Sequence, residues 1–127
     1  MEVIFKKRDK LTIFGDDYDT RDGTCVRDYI DIHDLIDAHI LALNINNNQI
    51  INLGTSNGTS VKELVSAIIE VTGKDFPYVI GEKREGDPAT LIASNKKAKE
   101  ILNWEPKKDI KDMIKSTFDA YKNIFKI

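Results

Sequence analysis

The chain has 127 residues, 41% of them apolar and 31% charged, a composition of one globular domain with a core rather than of a disordered segment. Nineteen basic against 21 acidic residues leave a formal charge of −2, which excludes the bulk positive field of a general nucleic-acid binder. Any anion site must therefore be local.

Residues Val3 to Phe5 are the only apolar stretch before Lys6, Lys7 and Arg8, which makes no secretory signal. No apolar run approaches the roughly 20 residues needed to cross a bilayer. Cys25 is the only cysteine, so neither an internal disulfide nor a cysteine metal cluster can form, and a reducing compartment is implied. The expectation is a cytoplasmic protein with no membrane and no nucleic-acid partner.

Leu11 to Gly15 has the β-branched and aromatic character of a strand, followed by a turn-rich loop to Gly23. Val26 to Ile32 is a second short extended segment. Asp34 is placed to cap a helix whose apolar positions are Leu35, Ile36, Ile40 and Leu43, ended by Asn46 to Asn48. Gln49 to Leu53 reads as a compact strand ending at Gly54. Ser60 and Glu63 form an S-x-x-E capping box. The helix it opens carries Val61, Leu64, Val65, Ile68 and Ile69 as its buried stripe, with Gly73 as a left-handed cap. Phe76 to Ile80 is a further strand, and Gly81 to Pro88 a charged loop. Asn95 opens a short helix with Ala98, Ile101 and Leu102 inward, closed by Trp104 and Pro106. Asp109 caps the last helix, with Ile110, Met113, Ile114, Phe118, Tyr121 and Phe125 in its stripe. Strands alternating with helices predict an α/β arrangement with parallel pairing. Too few strands are present to cover a parallel sheet, so the chain reads as a cut piece or as one that docks on another polypeptide.

Several familiar chemistries are missing. Neither G-x-G-x-x-G nor its looser form occurs, and Gly54 with Gly58 reads better as an ordinary βα turn than as a phosphate loop. No tyrosine is followed by lysine four residues later, as acid/base chemistry of the Tyr-x-x-x-Lys kind requires. His33 and His39 fall on nearly opposite helix faces, which argues against a metal site. Cys25 reads as a small loop residue. Two arginines in separate loops remain: Arg27 and Arg84. Two planar guanidinium forks can clamp a pyrophosphate, and Phe14 or Tyr29 can pack against a base. Acidic neighbours, Asp28 for one arginine and Glu85 with Asp87 for the other, make a surface ion pair the competing explanation.

The run from Leu11 through Thr24-Cys-Val-Arg-Asp-Tyr-Ile30 to His39 closely resembles the UDP-glucose 4-epimerases of the extended short-chain dehydrogenase family. Asn52-Leu-Gly54, Gly58 to Glu63, Arg84 to Ala89 and Leu102-Asn-Trp-Glu-Pro106 follow in that family's order and spacing. The resemblance implies that residues 1–127 are the C-terminal nucleotide-sugar-binding region, together with the last helix and strand of a Rossmann-type sheet. It implies that Phe14, Arg27 and Arg84 line the UDP site, with Val61 beside the uracil, Asp87 near the ribose and the arginines on the diphosphate. Tyr29 matches the motif's tyrosine, and Thr90 falls near the position whose size limits the sugar pocket, where a small residue suggests tolerance of an N-acetyl group. The complete enzyme of this family interconverts UDP-glucose and UDP-galactose through a transient 4-keto sugar, using NAD, and is expected to be a homodimer. Its NAD site and catalytic residues lie in an N-terminal half, expected in cis or as a separate chain, so no catalytic residue is assigned here. Two alternatives stand: a non-catalytic UDP-binding module, and the same part of a related dehydratase or decarboxylase.

Overall fold

The computed structural model describes residues 1–126. Strand β1 (Leu11–Phe14) buries Ile13 and pairs in parallel with β4 (Tyr78–Gly81), in the register Leu11 to Tyr78 through Phe14 to Gly81. A second small sheet is built around β2 (Val26–Arg27), antiparallel to β3 (Thr59–Ser60) and parallel to β5 (Thr90–Leu91). The α/β class and the parallel pairing are as the alternation predicts. The expected extended segment to Ile32 is paired only at Val26 and Arg27; beyond it Asp28 bonds the amides of Thr55, Ser56 and Ala93, and Asp31 caps the helix that follows.

Helix α2 (Val61–Thr72) follows its pattern closely: Ser60 and Glu63 cap each other's backbone amides, and Gly73, at φ 63°, closes the last turn. Its apolar side meets β1 and Phe76 in a cluster of Ile13, Val65 and Phe76, flanked by Val61, Ile68 and Ile69. Helix α4 (Ile110–Phe125) has its own capping box, Asp109 with Asp112, and buries Ile114 and Phe118. Phe5 hooks the N-terminus onto it, its ring centroid 5.4 Å from that of Phe118 and 5.6 Å from that of Phe125. A second cluster joins α1 (Ile32–Ala42) to α3 (Lys96–Leu102) through Ala38, Ala98, Leu102 and Trp104.

Two expectations are corrected. Helix α1 is capped by Asp31, whose carboxylate accepts from the His33 amide at 2.8 Å, and not by Asp34. Asp34 lies one turn in and is buried, because tertiary donors claim it: its carboxylate accepts the amides of Lys107 and Lys108, and its carbonyl accepts the Trp104 indole N–H at 2.8 Å. The inward face of α1 is consequently Asp34 and Ala38, while Ile36, Ile40 and Leu43 of the expected stripe point outward. The second correction concerns Gln49 to Leu53, which pairs with no strand among the described residues. Ile51 and Leu53 still pack on the α1–α3 cluster.

Candidate functional site

Around β2 the side chains alternate, as they must on an extended backbone. Cys25, Arg27 and Tyr29 line one cleft, Val26 is buried on the opposite side, and Asp28 reaches toward residues 54–57. The cleft has a volume of about 210 Å³ and is completed by the end of β1 (Thr12 to Gly15), by Val61 at the first position of α2, and by Arg84 and Asp87. Six of the seven residues expected at the site thus share one cavity: Phe14, Arg27, Tyr29, Val61, Arg84 and Asp87.

The loop after β4 sets the two charged groups together. Asp87 donates its amide to the Arg84 carbonyl at 3.3 Å, closing a turn in which Gly86 takes φ 79°, a left-handed angle suited to glycine. The same turn directs Arg84 Nη2 to Asp87 Oδ2 at 2.9 Å. Arg27 approaches the other oxygen of Asp87 at 3.5 Å and donates to its neighbour's carbonyl, Val26 O, at 2.8 Å. The Arg84 guanidinium also stacks 4.6 Å from the Phe14 ring centroid. Arg27, Arg84 and Asp87 are the charged residues lining the cleft, so one positive charge is uncompensated. That balance favours a dianionic or trianionic ligand over the free ion pair. Burial pushes the Tyr29 hydroxyl above its ordinary range, against the pull of Arg27, and keeps it a neutral donor.

Thr90 is not among the cleft residues. It pairs with Val26, and Ile92, two residues on, meets Val26 where both crowd Gly58, so Thr90 shares the Val26 side of the sheet. Leu91, opposite Arg27, takes the cleft side. Cys25 was passed over as a loop residue, yet its spacing of two from Arg27 and four from Tyr29 is the signal that places it on their face.

The turn from Gly54 into α2 holds no dinucleotide phosphate. Its amide cradle is filled by a side chain of the same chain: Asp28 accepts from Thr55 N at 2.9 Å, Thr55 Oγ1 at 2.5 Å, Ser56 N at 3.1 Å and Ala93 N at 3.2 Å. The described residues therefore do not fit an NAD pyrophosphate there, and they hold no group of three or more His, Cys, Asp or Glu suited to a metal ion. No helix among them is long and apolar enough to cross a membrane.

The sequence pattern of the GDP-mannose 4,6 dehydratase family matches residues 1–117. The chain belongs to that family. Among individual relatives, the UDP-glucose 4-epimerase of Lactobacillus helveticus is 48% identical over 119 residues, which are 90% of this chain and 36% of the relative. The solved UDP-glucose 4-epimerase of Bifidobacterium longum, in complex with NAD+ and UDP, superposes with a TM-score of 0.91 at 36% identity, covering 96% of this chain and 37% of that one. The UDP-Glc/GlcNAc 4-epimerase of Campylobacter jejuni gives a TM-score of 0.86 at 44% identity, over 96% and 38% of the two chains. The chain thus spans little more than a third of the length of the relatives it matches, and it carries their epimerase fold over that third.

Proposed function

We propose that this chain is the UDP-sugar-binding part of a UDP-glucose 4-epimerase, and that the cleft between β1, β2 and the Arg84 turn receives the nucleotide diphosphate. The observation that carries this reading is the pair of guanidiniums from separate loops, held at one cavity by a single carboxylate. A diphosphate entering the cleft takes over Arg27 and Arg84 in bidentate fashion and frees Asp87 to accept from a sugar hydroxyl. Phe14 and Val61 supply the apolar walls for the base, and Tyr29 a neutral donor. The epimerisation itself, through a 4-keto sugar and NAD, belongs to the complete enzyme. In that enzyme, the role of this part is to grip the nucleotide and present the hexose.

Calorimetric titration of the chain with UDP tests the reading. Saturable binding is expected, weakened by about tenfold to a hundredfold in Arg27→Ala and in Arg84→Ala, the loss of one charge-assisted pair each. A folded chain that takes up no UDP at millimolar concentration sinks the reading.

A further inference from the structure

Tyr18 stands beside the cleft with a hydroxyl that is left unbonded. The oxygen is buried and, among the described residues, finds no hydrogen-bond partner. Its ring is held from several sides. Gly15 packs so closely that a Cβ there would stand 3.0 Å from Tyr18 Cε2 and 2.6 Å from Lys83 Cγ. The Lys83 ammonium, paired with Asp17 Oδ1 at 3.0 Å, lies 4.5 Å from the ring centroid. The backbone is fixed as well: the Tyr18 amide donates to the Gly23 carbonyl at 2.8 Å, and the Tyr18 carbonyl accepts from the Thr20 amide at 2.8 Å. Burial, then the Cys25 thiol beside it, then the Asp87 carboxylate raise the hydroxyl above the ordinary tyrosine range, against the pull of Arg27. Cys25, Arg27 and Asp87 all line the cleft. A phenylalanine would fill the same space without the cost of an unsatisfied polar group, so the hydroxyl calls for a role.

We infer that Tyr18 is a positioning residue of the cleft: its hydroxyl is the donor that Asp87 takes up when a diphosphate draws Arg27 and Arg84 away. The inference deepens the UDP-binding reading above and rests on it. In the free protein Asp87 divides its oxygens between the arginines, Oδ1 toward Arg27 at 3.5 Å and Oδ2 toward Arg84 at 2.9 Å. A bound diphosphate claims both guanidiniums and sets its own negative charge beside the carboxylate, which then needs a donor that does not compete for the phosphates. The Tyr18 O–H is neutral, shielded from water and already in place, so little side-chain freedom is lost in making the bond. The Cys25 thiol is too weak an acceptor to hold that hydroxyl in the meantime. One Asp87 oxygen then accepts from Tyr18 and the other remains for a sugar hydroxyl. The tyrosine aims the carboxylate without touching the ligand.

Two substitutions, each read by UDP calorimetry and by urea titration of the ligand-free chain, test this. Tyr18→Phe is expected to leave the urea midpoint unchanged or raised and to weaken UDP binding about fivefold to tenfold, the loss of one hydrogen bond to a charged group. In an Asp87→Ala background the same change should alter UDP affinity less than about twofold, because the acceptor has gone. In the ligand-free urea midpoint the two substitutions should simply add, since there the two side chains do not bond. That contrast sets a positioning role apart from a structural one. A Tyr18→Phe chain that binds UDP as tightly as the native chain overturns the inference, and so does a parallel loss of stability and affinity. An equal loss of affinity with and without Asp87 also overturns it, by giving the hydroxyl another acceptor. A folded native chain that takes up no UDP sinks the nucleotide reading and this inference together, whereas failure in the variants alone leaves the nucleotide reading standing.

Discussion

Lys6 sits at φ 56°, a left-handed conformation that costs an L-residue on the order of 1 kcal/mol and costs glycine nothing. It is held there because its amide donates to the Val3 carbonyl, turning the apolar Val3 to Phe5 stretch back onto the body of the chain. Lys6→Gly relieves the strain but gives the unfolded chain more freedom, so the net gain is about 0.5 kcal/mol. The urea midpoint should rise accordingly, whereas Lys6→Ala leaves it unchanged. Tyr18 poses a different question. Its hydroxyl is buried and has no hydrogen-bond partner among the described residues, and its ring carries the Lys83 ammonium at 4.5 Å. An unsatisfied buried hydroxyl costs stability, so Tyr18→Phe is expected to be neutral or stabilising by about 1 kcal/mol, read from the same urea titration.

At the scale of elements, the loop from Gly15 to Cys25 is fastened to the start of α2 by carboxylates. The Arg21 guanidinium, then the Ser60 amide, hold the Glu63 carboxyl below its ordinary range. Burial pushes the Asp22 carboxyl up, but donors from Ser60 and Thr24 outweigh it and leave it depressed. Groups depressed on folding stabilise the native state above the ordinary carboxylate range and lose that stabilisation as pH falls through it. The urea midpoint should therefore decline steeply below about pH 4.5, and Glu63→Gln should lower the neutral-pH value while flattening that decline. This capping box was legible in the sequence, because both partners lie within four residues. So were the stripes of α2 and α4, where periodicity and burial agree. Six of the cleft residues were reached through family motifs, and Cys25 could have been reached by counting in twos. Asp34 could not: its donors, the amides of Lys107 and Lys108, are more than 70 residues away. The side of α1 that faces inward was misjudged for the same reason, since a helix with two apolar sides gives periodicity no means of choosing between them. Gln49 to Leu53 has the composition of a strand and pairs with none among the described residues.

At the scale of the whole molecule, the described residues form two separate apolar clusters. One apolar cluster joins β1, α2 and Phe76, another joins α1, α3 and Trp104, and each contains only three or four buried side chains. Clusters of that size bury too little surface to stand alone. What lies between them is Asp28, which from the end of β2 binds Thr55 and Ser56, on the approach to α2, and Ala93, on the approach to α3. Its carboxylate gives both clusters a common anchor, and cooperative unfolding is expected to depend on it. Trp104, the only tryptophan, is buried in the α1–α3 cluster and so reports on that cluster by fluorescence, while far-ultraviolet circular dichroism is weighted toward the longer helices α2 and α4. In the native sequence the two signals should change together in urea. Asp28→Ala leaves the amides of Thr55, Ser56 and Ala93 without their acceptor, a loss on the order of 3 kcal/mol. It should also separate the transitions, fluorescence leading, because the α1–α3 cluster has the larger uncovered apolar face and the shorter helices. Coincident transitions in Asp28→Ala would show instead that packing through β2 alone couples the two clusters.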